Sequence, residues 1–125
     1  MDSFDRGMET LRKIDPASGD RIMRMLEDVA PDMSRWIVEF AFGTIYSRPG
    51  LDLKTRELLT IASLTTLGTA PRQLEGHIRN ALQVGCSREE IIEAILQMAV
   101  YAGFPNALNA LFIARAVFSG EVSGS

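Results

Sequence analysis

Three segments of this chain are apolar on nearly every side of the helix that each would form. Residues 58–67 contain only apolar, serine and threonine side chains, and the strongly polar residues of the other two segments are Glu93 and Gln97 within 91–102 and Asn109 and Arg115 within 107–118. A helix that is hydrophobic on every side must be buried on every side. A chain of 125 residues cannot surround three such helices by itself, because a domain of this size hides only about two thirds of its surface. We therefore expect an obligate homo-oligomer, in which contacts between subunits cover the excess.

Proline, glycine and capping residues divide the chain into seven predicted helices. These helices cover about 4–14, 22–29, 31–47, 53–67, 71–84, 88–102 and 105–118. Trp36 and Phe40 belong to the apolar stripe expected of the third helix. Ser87 and Glu90 fit a capping box at the start of the sixth, Asp52 is the expected N-cap of the fourth, and Gly85 is the expected left-handed terminator of the fifth. No alternating pattern predicts a strand, so we expect an all-α helical bundle.

Composition and charge argue against several classes of function. The net charge is −3 with 13 basic residues, and no basic stripe is present to neutralise phosphates, which argues against nucleic-acid binding. The acidic N-terminal sequence does not resemble a signal peptide, and no apolar run is long enough to span a bilayer. The single cysteine, Cys86, allows no internal disulfide and no cysteine–histidine metal set. We expect a single cytoplasmic domain over 1–125, without metal or cofactor, with N-terminal helices in 3–30 and a flexible tail at 119–125.

His77 is the only histidine of the chain, and histidine is the side chain best suited to exchange protons near neutral pH. Gln73 lies one helical turn earlier and could contact the imidazole or a ligand beside it, whereas Glu75 is placed to pair with Arg79 four residues later. The alternative is that His77 is a core or interface histidine bonded to a carbonyl group.

Glu57 lies early in an apolar helix, either as a charge favoured by the helix dipole or as a buried group suited to proton transfer. Its neighbour Arg56 could bind a carboxylate substrate. Tyr101 and Asn106 flank a Gly-Phe-Pro break and could face a pocket, or they could form a tight corner with Tyr101 at a subunit contact. We expect His77 and Glu57 to meet across two helices beside Tyr101 and residues near Pro105. Cys86 is interpreted as inert.

Three motifs, in this order and spacing, resemble the carboxymuconolactone decarboxylase family. They are Arg56-Glu57-Leu-Leu-Thr, Glu-Gly-His77-Ile-Arg and Tyr101-Ala-Gly-Phe-Pro-Asn106, within a matching region of about 33–118. The resemblance implies an all-helical, alkylhydroperoxidase D-like subunit in a homo-oligomeric ring, often a hexamer built as a trimer of dimers.

The resemblance also separates two chemistries. In the alkylhydroperoxidase D-like branch, a Cys-x-x-Cys-x-x-x-His motif reduces peroxides, but Ala70 and Gln73 occupy those cysteine positions here. The decarboxylase branch lacks the cysteine pair, and this chain follows its pattern. The resemblance thus implies cofactor-free loss of carbon dioxide from a carboxylated lactone of the 4-carboxymuconolactone type, in aromatic-acid catabolism.

Four residues could fill the roles that this reaction needs. Arg56 would anchor the substrate, Tyr101 would donate to the enolate oxygen, His77 would protonate carbon and Glu57 would orient the histidine. Two alternatives stay open at this point: a peroxidase or disulfide reductase acting through Cys86, and a non-catalytic family member that binds a small carboxylic acid.

Overall fold

The computed structural model describes residues 1–121, which form seven α-helices and one π-helical segment with no strand among them. In chain order these are α1 (Ser3–Ile14), α2 (Ser18–Met25), α3 (Pro31–Trp36), the π segment (Ile37–Ile45), α4 (Leu53–Leu67), α5 (Pro71–Gln83), α6 (Arg88–Ala102) and α7 (Phe104–Phe118). The all-α prediction is confirmed for the described residues. The last four positions of the expected tail, 122–125, lie outside them.

The chain divides into two compact units, Met1–Asp52 and Leu53–Ser125, the second of which is described as far as residue 121. The first contains α1, α2, α3 and the π segment, and the second contains α4 to α7. That the two units act as one domain over 1–125 stays a prediction.

In the N-terminal unit, α1 lies against the π segment at two glycines. A Cβ atom on Gly7 would overlap the carbonyl oxygen of Val38, and one on Gly43 would overlap the carbonyl oxygen of Ser3. Arg6 Nε donates to the carbonyl oxygen of Gly43 at 2.7 Å. The two backbones therefore approach more closely than any side chain at either position would allow.

The prediction of one regular α-helix over 31–47 is wrong in its second half. The chain is α-helical only to Trp36 and then forms i→i+5 hydrogen bonds, of which Tyr46 N to Ala41 O at 2.8 Å is the last. This change of pitch turns the buried face toward Val38, Phe42 and Gly43. Trp36, at the end of α3, and Phe40, in the π segment, are expected on the apolar stripe but are each 63% exposed.

The second helix also ends earlier than expected, at Met25. After it, Glu27 N bonds to Arg24 O and Val29 N to Leu26 O, so the backbone tightens into successive turns. Val29 is consequently exposed rather than on the buried stripe.

The C-terminal unit follows the predicted helices closely. Glu90 N donates to Ser87 Oγ at 3.0 Å and Ser87 N donates to Glu90 Oε1 at 2.8 Å, which confirms the capping box that opens α6. Gly85 adopts φ +100° after α5, as expected of a left-handed terminator. The core of this unit is formed by eleven buried residues: Ile61, Leu74, Ile78, Ala81, Cys86, Ile91, Ile95, Ala107, Ala110, Ala114 and Val117.

Large apolar side chains on α4, α6 and α7 remain exposed. They are Leu59, Leu67, Leu96, Val100, Tyr101, Phe104, Leu108 and Phe112. These are the three helices whose sequences are apolar nearly all round, and this unit buries only one face of each. Among residues 1–121, no helix combines the length and hydrophobicity needed to cross a membrane.

Candidate active site

The fold of the C-terminal unit brings His77 and Glu57 into contact. Glu57 belongs to the inward face of α4, which it shares with Ile61 and Thr65 at four-residue spacing. His77 lies on α5 beside the buried Ile78. The imidazole Nδ1 is 2.7 Å from Glu57 Oε1, the distance of a strong charge-assisted hydrogen bond. The contact expected between these two residues is therefore present, although their catalytic roles remain predictions.

The two partners differ in their access to solvent. The side chain of Glu57 is 0% exposed, whereas that of His77 is 21% exposed. A carboxylate in such a position is costly unless a partner balances its charge. Nδ1 is the ring nitrogen in contact with Glu57, and Nε2 is the second nitrogen of the same imidazole.

The two carboxylate oxygens of Glu57 differ in their hydrogen bonding, unlike those of an ion pair in which every polar atom has a partner. Oε2 is buried and has no hydrogen-bond partner within the described part of the chain. Buried polar atoms almost always have a partner. An acceptor left open beside a partly exposed imidazole is an arrangement that suits a ligand donor or a water molecule.

Arg56 and Gln73 flank the pair along their own helices. Arg56 precedes Glu57 on α4 and is half-buried, while Gln73 is exposed in the first turn of α5, one turn before His77. Their positions are compatible with substrate binding, which stays a prediction. The expected pairing of Glu75 with Arg79 is present, with Arg79 Nη1 3.3 Å from Glu75 Oε2.

Tyr101 and Asn106 have separate surroundings. Tyr101 is 77% exposed in the last turn of α6. Asn106, in the first turn of α7, donates from Nδ2 to the carbonyl oxygen of Thr66 at 3.2 Å and lies against Gly68. Asn106 thus joins the end of α4 to the start of α7, and its role in substrate binding stays a prediction. For Tyr101, a place beside the His77–Glu57 pair stays a prediction.

Cys86 lies in the core rather than at the pair. It is buried, and its Sγ is 3.7 Å from the carbonyl oxygen of Lys54. Within residues 1–121, no group of three or more histidine, cysteine, aspartate or glutamate side chains could hold a metal ion.

Thr65 is a polar residue of this unit that sequence reasoning did not single out. It lies two turns after Glu57 on the inward face of α4, it is 1% exposed, and its Oγ1 has no hydrogen-bond partner in the described residues. Its eight-residue spacing from Glu57 is the signal that could have placed both on one face.

These features define an all-helical protein with a buried carboxylate–histidine pair and no thiol at the family's cysteine positions. Residues 31–116 match the profile of the carboxymuconolactone decarboxylase family. The chain belongs to this family.

Three relatives extend this assignment. An uncharacterized 15.0 kDa protein of the nqo9-nqo10 intergenic region of Paracoccus denitrificans is 40% identical over 116 residues, which cover 92% of this chain and 87% of that protein. The 4-carboxymuconolactone decarboxylase of Acinetobacter baylyi is 38% identical over 99 residues, 79% of this chain and 73% of that enzyme. Nitrosuccinic acid decarboxylase of Metarhizium robertsii is 34% identical over 122 residues, 95% and 83% of the two chains.

Proposed function

We propose that this protein is a cofactor-free decarboxylase acting on a carboxylated lactone of the 4-carboxymuconolactone type, with His77 and Glu57 as its catalytic pair. The observation that carries the proposal is the 2.7 Å contact between a partly exposed imidazole and a fully buried carboxylate in a member of this family. The proposal includes a cytoplasmic location and a role in aromatic-acid catabolism, as the sequence leads us to expect.

The names of two relatives support the reaction class. Both are decarboxylases, one named for a carboxylated lactone and the other for a nitro acid. In either kind of substrate, an electron-withdrawing group can accept the electron pair that the departing carbon dioxide leaves behind. A site for such chemistry needs to stabilise a delocalised anion and then supply a proton to carbon.

The proposed step can be written in full for a lactone. The bond between the ring carbon and the carboxylate breaks, carbon dioxide leaves, and the electron pair moves into the unsaturated lactone to form an enolate. The imidazolium of His77 then gives its Nε2 proton to carbon, and water restores that proton. No electrons are gained or lost overall, so the reaction requires no redox partner.

Each proposed side chain has a distinct role in this step. Glu57 holds the imidazole through Nδ1 and balances the charge of the imidazolium, as a carboxylate does for a catalytic histidine. Arg56 anchors the substrate carboxylate, with Gln73 and Asn106 as further binding residues. Tyr101 donates to the enolate oxygen, which requires that this exposed side chain be brought to the site in the assembled protein.

A homo-oligomer is part of the proposal, and the resemblance to the family favours a hexamer built as a trimer of dimers. The exposed apolar side chains of α6 and α7 support it, since Val100, Tyr101 and Phe104 are each more than three quarters exposed. Such a concentration of large apolar groups is typical of a protein contact surface.

Direct assay of the reaction tests the proposal. Purified protein is incubated with 4-carboxymuconolactone or with nitrosuccinate, and released carbon dioxide is measured against a lactone that lacks the carboxyl group. We expect turnover of the carboxylated lactone. Binding of that lactone, seen as a raised melting temperature, without any carbon dioxide would support a non-catalytic family member instead.

The thiol-dependent alternative is tested in the same preparation. A peroxidase would have to act through Cys86, which is buried and is the only cysteine of the chain. We expect no peroxide consumption above that of Cys86→Ser. Consumption that Cys86→Ser abolishes would favour the alternative.

A further inference from the structure

A groove lies between α6 and α7, apart from the His77–Glu57 pair. Its volume is about 380 Å³, and none of its lining residues belongs to α4 or α5. Its apolar surface is formed by Ile92, Leu111, Ala114 and Phe118, and two guanidinium groups, Arg88 and Arg115, border it. The volume falls within the range of about 300–1,000 Å³ that is usual for small-molecule sites.

Both arginines are exposed, and each lies over an aromatic ring. The guanidinium carbon of Arg88 is 5.3 Å from the ring centroid of Phe118, and that of Arg115 is 5.2 Å from the ring centroid of Phe112. Arg88 Nη2 also donates to the carbonyl oxygen of Phe118 at 3.2 Å. Stacking of this kind orients a guanidinium and uses none of its hydrogen-bond donors.

Neither guanidinium pairs with a carboxylate among the described residues. Within residues 1–121, carboxylates pair with Arg21, Arg35 and Arg79, but none pairs with Arg88 or Arg115. A guanidinium carries five N–H donors, of which the bond to Phe118 uses one on Arg88. The groove therefore combines an apolar surface with two oriented cations whose donors are available to an anion.

We propose that this groove binds a small amphipathic carboxylate at a site separate from the His77–Glu57 pair. The aromatic or short acyl part of the ligand lies on Ile92 and Leu111, and its carboxylate accepts hydrogen bonds from Arg88 and Arg115. A planar carboxylate matches the forked geometry of a guanidinium, and the apolar surface disfavours a fully hydrated anion such as free phosphate.

Phenylacetate is a suitable probe, and phenylacetamide is its uncharged analogue of similar shape. Binding to the full-length native protein is measured by calorimetry, and the bound position is found from nuclear Overhauser contacts between the probe and Phe118 or Leu111. We expect phenylacetate to bind both the wild type and His77→Ala. We expect Arg88→Met and Arg115→Met each to weaken binding about tenfold, because a hydrogen bond to a charged group contributes about that factor.

Two controls make the result specific. Arg24→Met removes an exposed arginine of the N-terminal unit and should leave the affinity unchanged. Melting temperatures show whether His77→Ala, Arg88→Met or Arg115→Met has lost its fold, and only folded variants are compared. The Overhauser contacts in the wild type locate the probe without any variant.

Several outcomes would overturn the proposal. These are equal binding of phenylacetamide, binding that only His77→Ala removes, unchanged affinity in both arginine variants, or no contact with Phe118 and Leu111. Absence of binding to the native assembly, as expected if a second copy of the chain covers the groove, would overturn it as well.

Discussion

Glu57 is an ionisable side chain that the fold buries completely, with His77 as the partner of one of its oxygens. Removal of one member of a buried charged pair is more costly than removal of both, because the remaining charge then has no partner. This asymmetry gives a test of the pair that does not depend on the substrate.

We expect His77→Ala to lower the free energy of unfolding at neutral pH by about 3–5 kcal/mol. The double variant His77→Ala/Glu57→Gln should recover part of this loss, since it leaves no buried charge. Urea denaturation at one fixed protein concentration measures both. A double variant less stable than His77→Ala alone would contradict the expected cost of leaving Glu57 without its partner.

The composition of the pair could be predicted from sequence, because His77 is the only histidine and Glu57 interrupts an apolar helix. The open acceptor at Glu57 Oε2 could not, because hydrogen bonding depends on how α4 and α5 pack rather than on spacing along either helix. For the same reason, the bond from Asn106 to Thr66, which joins residues forty positions apart, is visible only in the structure.

At the scale of elements, the start of α6 is stabilised by side chains that interact with backbone donors. The Ser87 backbone N–H donates to Glu90, and this bond, followed by the nearby Lys54 ammonium, holds the pKa of Glu90 below its usual value of 4.5. Because the pKa is lower in the folded state, Glu90 stabilises the fold above pH 4.5 and loses that effect as the pH falls through the folded-state pKa.

We therefore expect Glu90→Gln to have a lower melting temperature than the wild type at neutral pH. The difference should shrink under acidic conditions, where Glu90 itself is protonated. Thermal unfolding across this pH range measures it, with the exposed neighbour variant Glu89→Gln as a matched control. A melting-temperature difference that does not change with pH would contradict the lowered pKa of Glu90.

The close contact between α1 and the π segment gives a second test at this scale. Gly43→Ala places a methyl group against the Ser3 carbonyl oxygen, whereas Gly50→Ala meets no atom within 4 Å. We expect Gly43→Ala to destabilise the protein by about 1–3 kcal/mol and Gly50→Ala to have little effect. Equal stabilities of the two variants would show that α1 does not pack as described.

The helix boundaries of the C-terminal unit could be predicted because proline, glycine and a capping box mark them directly. The π segment could not be predicted, because the residues of 31–47 are compatible with a regular 3.6-residue period and contain no signal of a change of pitch. Phe40 lies within the π segment, and its exposure is therefore not visible from a 3.6-residue period.

At the scale of the whole molecule, exposed apolar side chains on α4, α6 and α7 lead us to expect a multimer. Sedimentation at micromolar concentration should show one, with a hexamer as the expected size. Phe104→Glu, which places a charge on the most exposed large apolar side chain of α7, should yield smaller species. Gln83→Glu, at an exposed polar position of α5, should not. A well-folded monomeric wild type would contradict the assembly.

In the proposed reaction, His77 gives the proton that completes a decarboxylation. The most direct measurement is turnover of 4-carboxymuconolactone by the wild type, His77→Gln and Cys86→Ala, each verified by its melting temperature. Glutamine at position 77 can still donate to Glu57, but it cannot act as an acid. We expect His77→Gln to lose about 10²- to 10⁴-fold in turnover and Cys86→Ala to retain full activity. Undiminished turnover by a folded His77→Gln, or its loss in a folded Cys86→Ala, would contradict the claim.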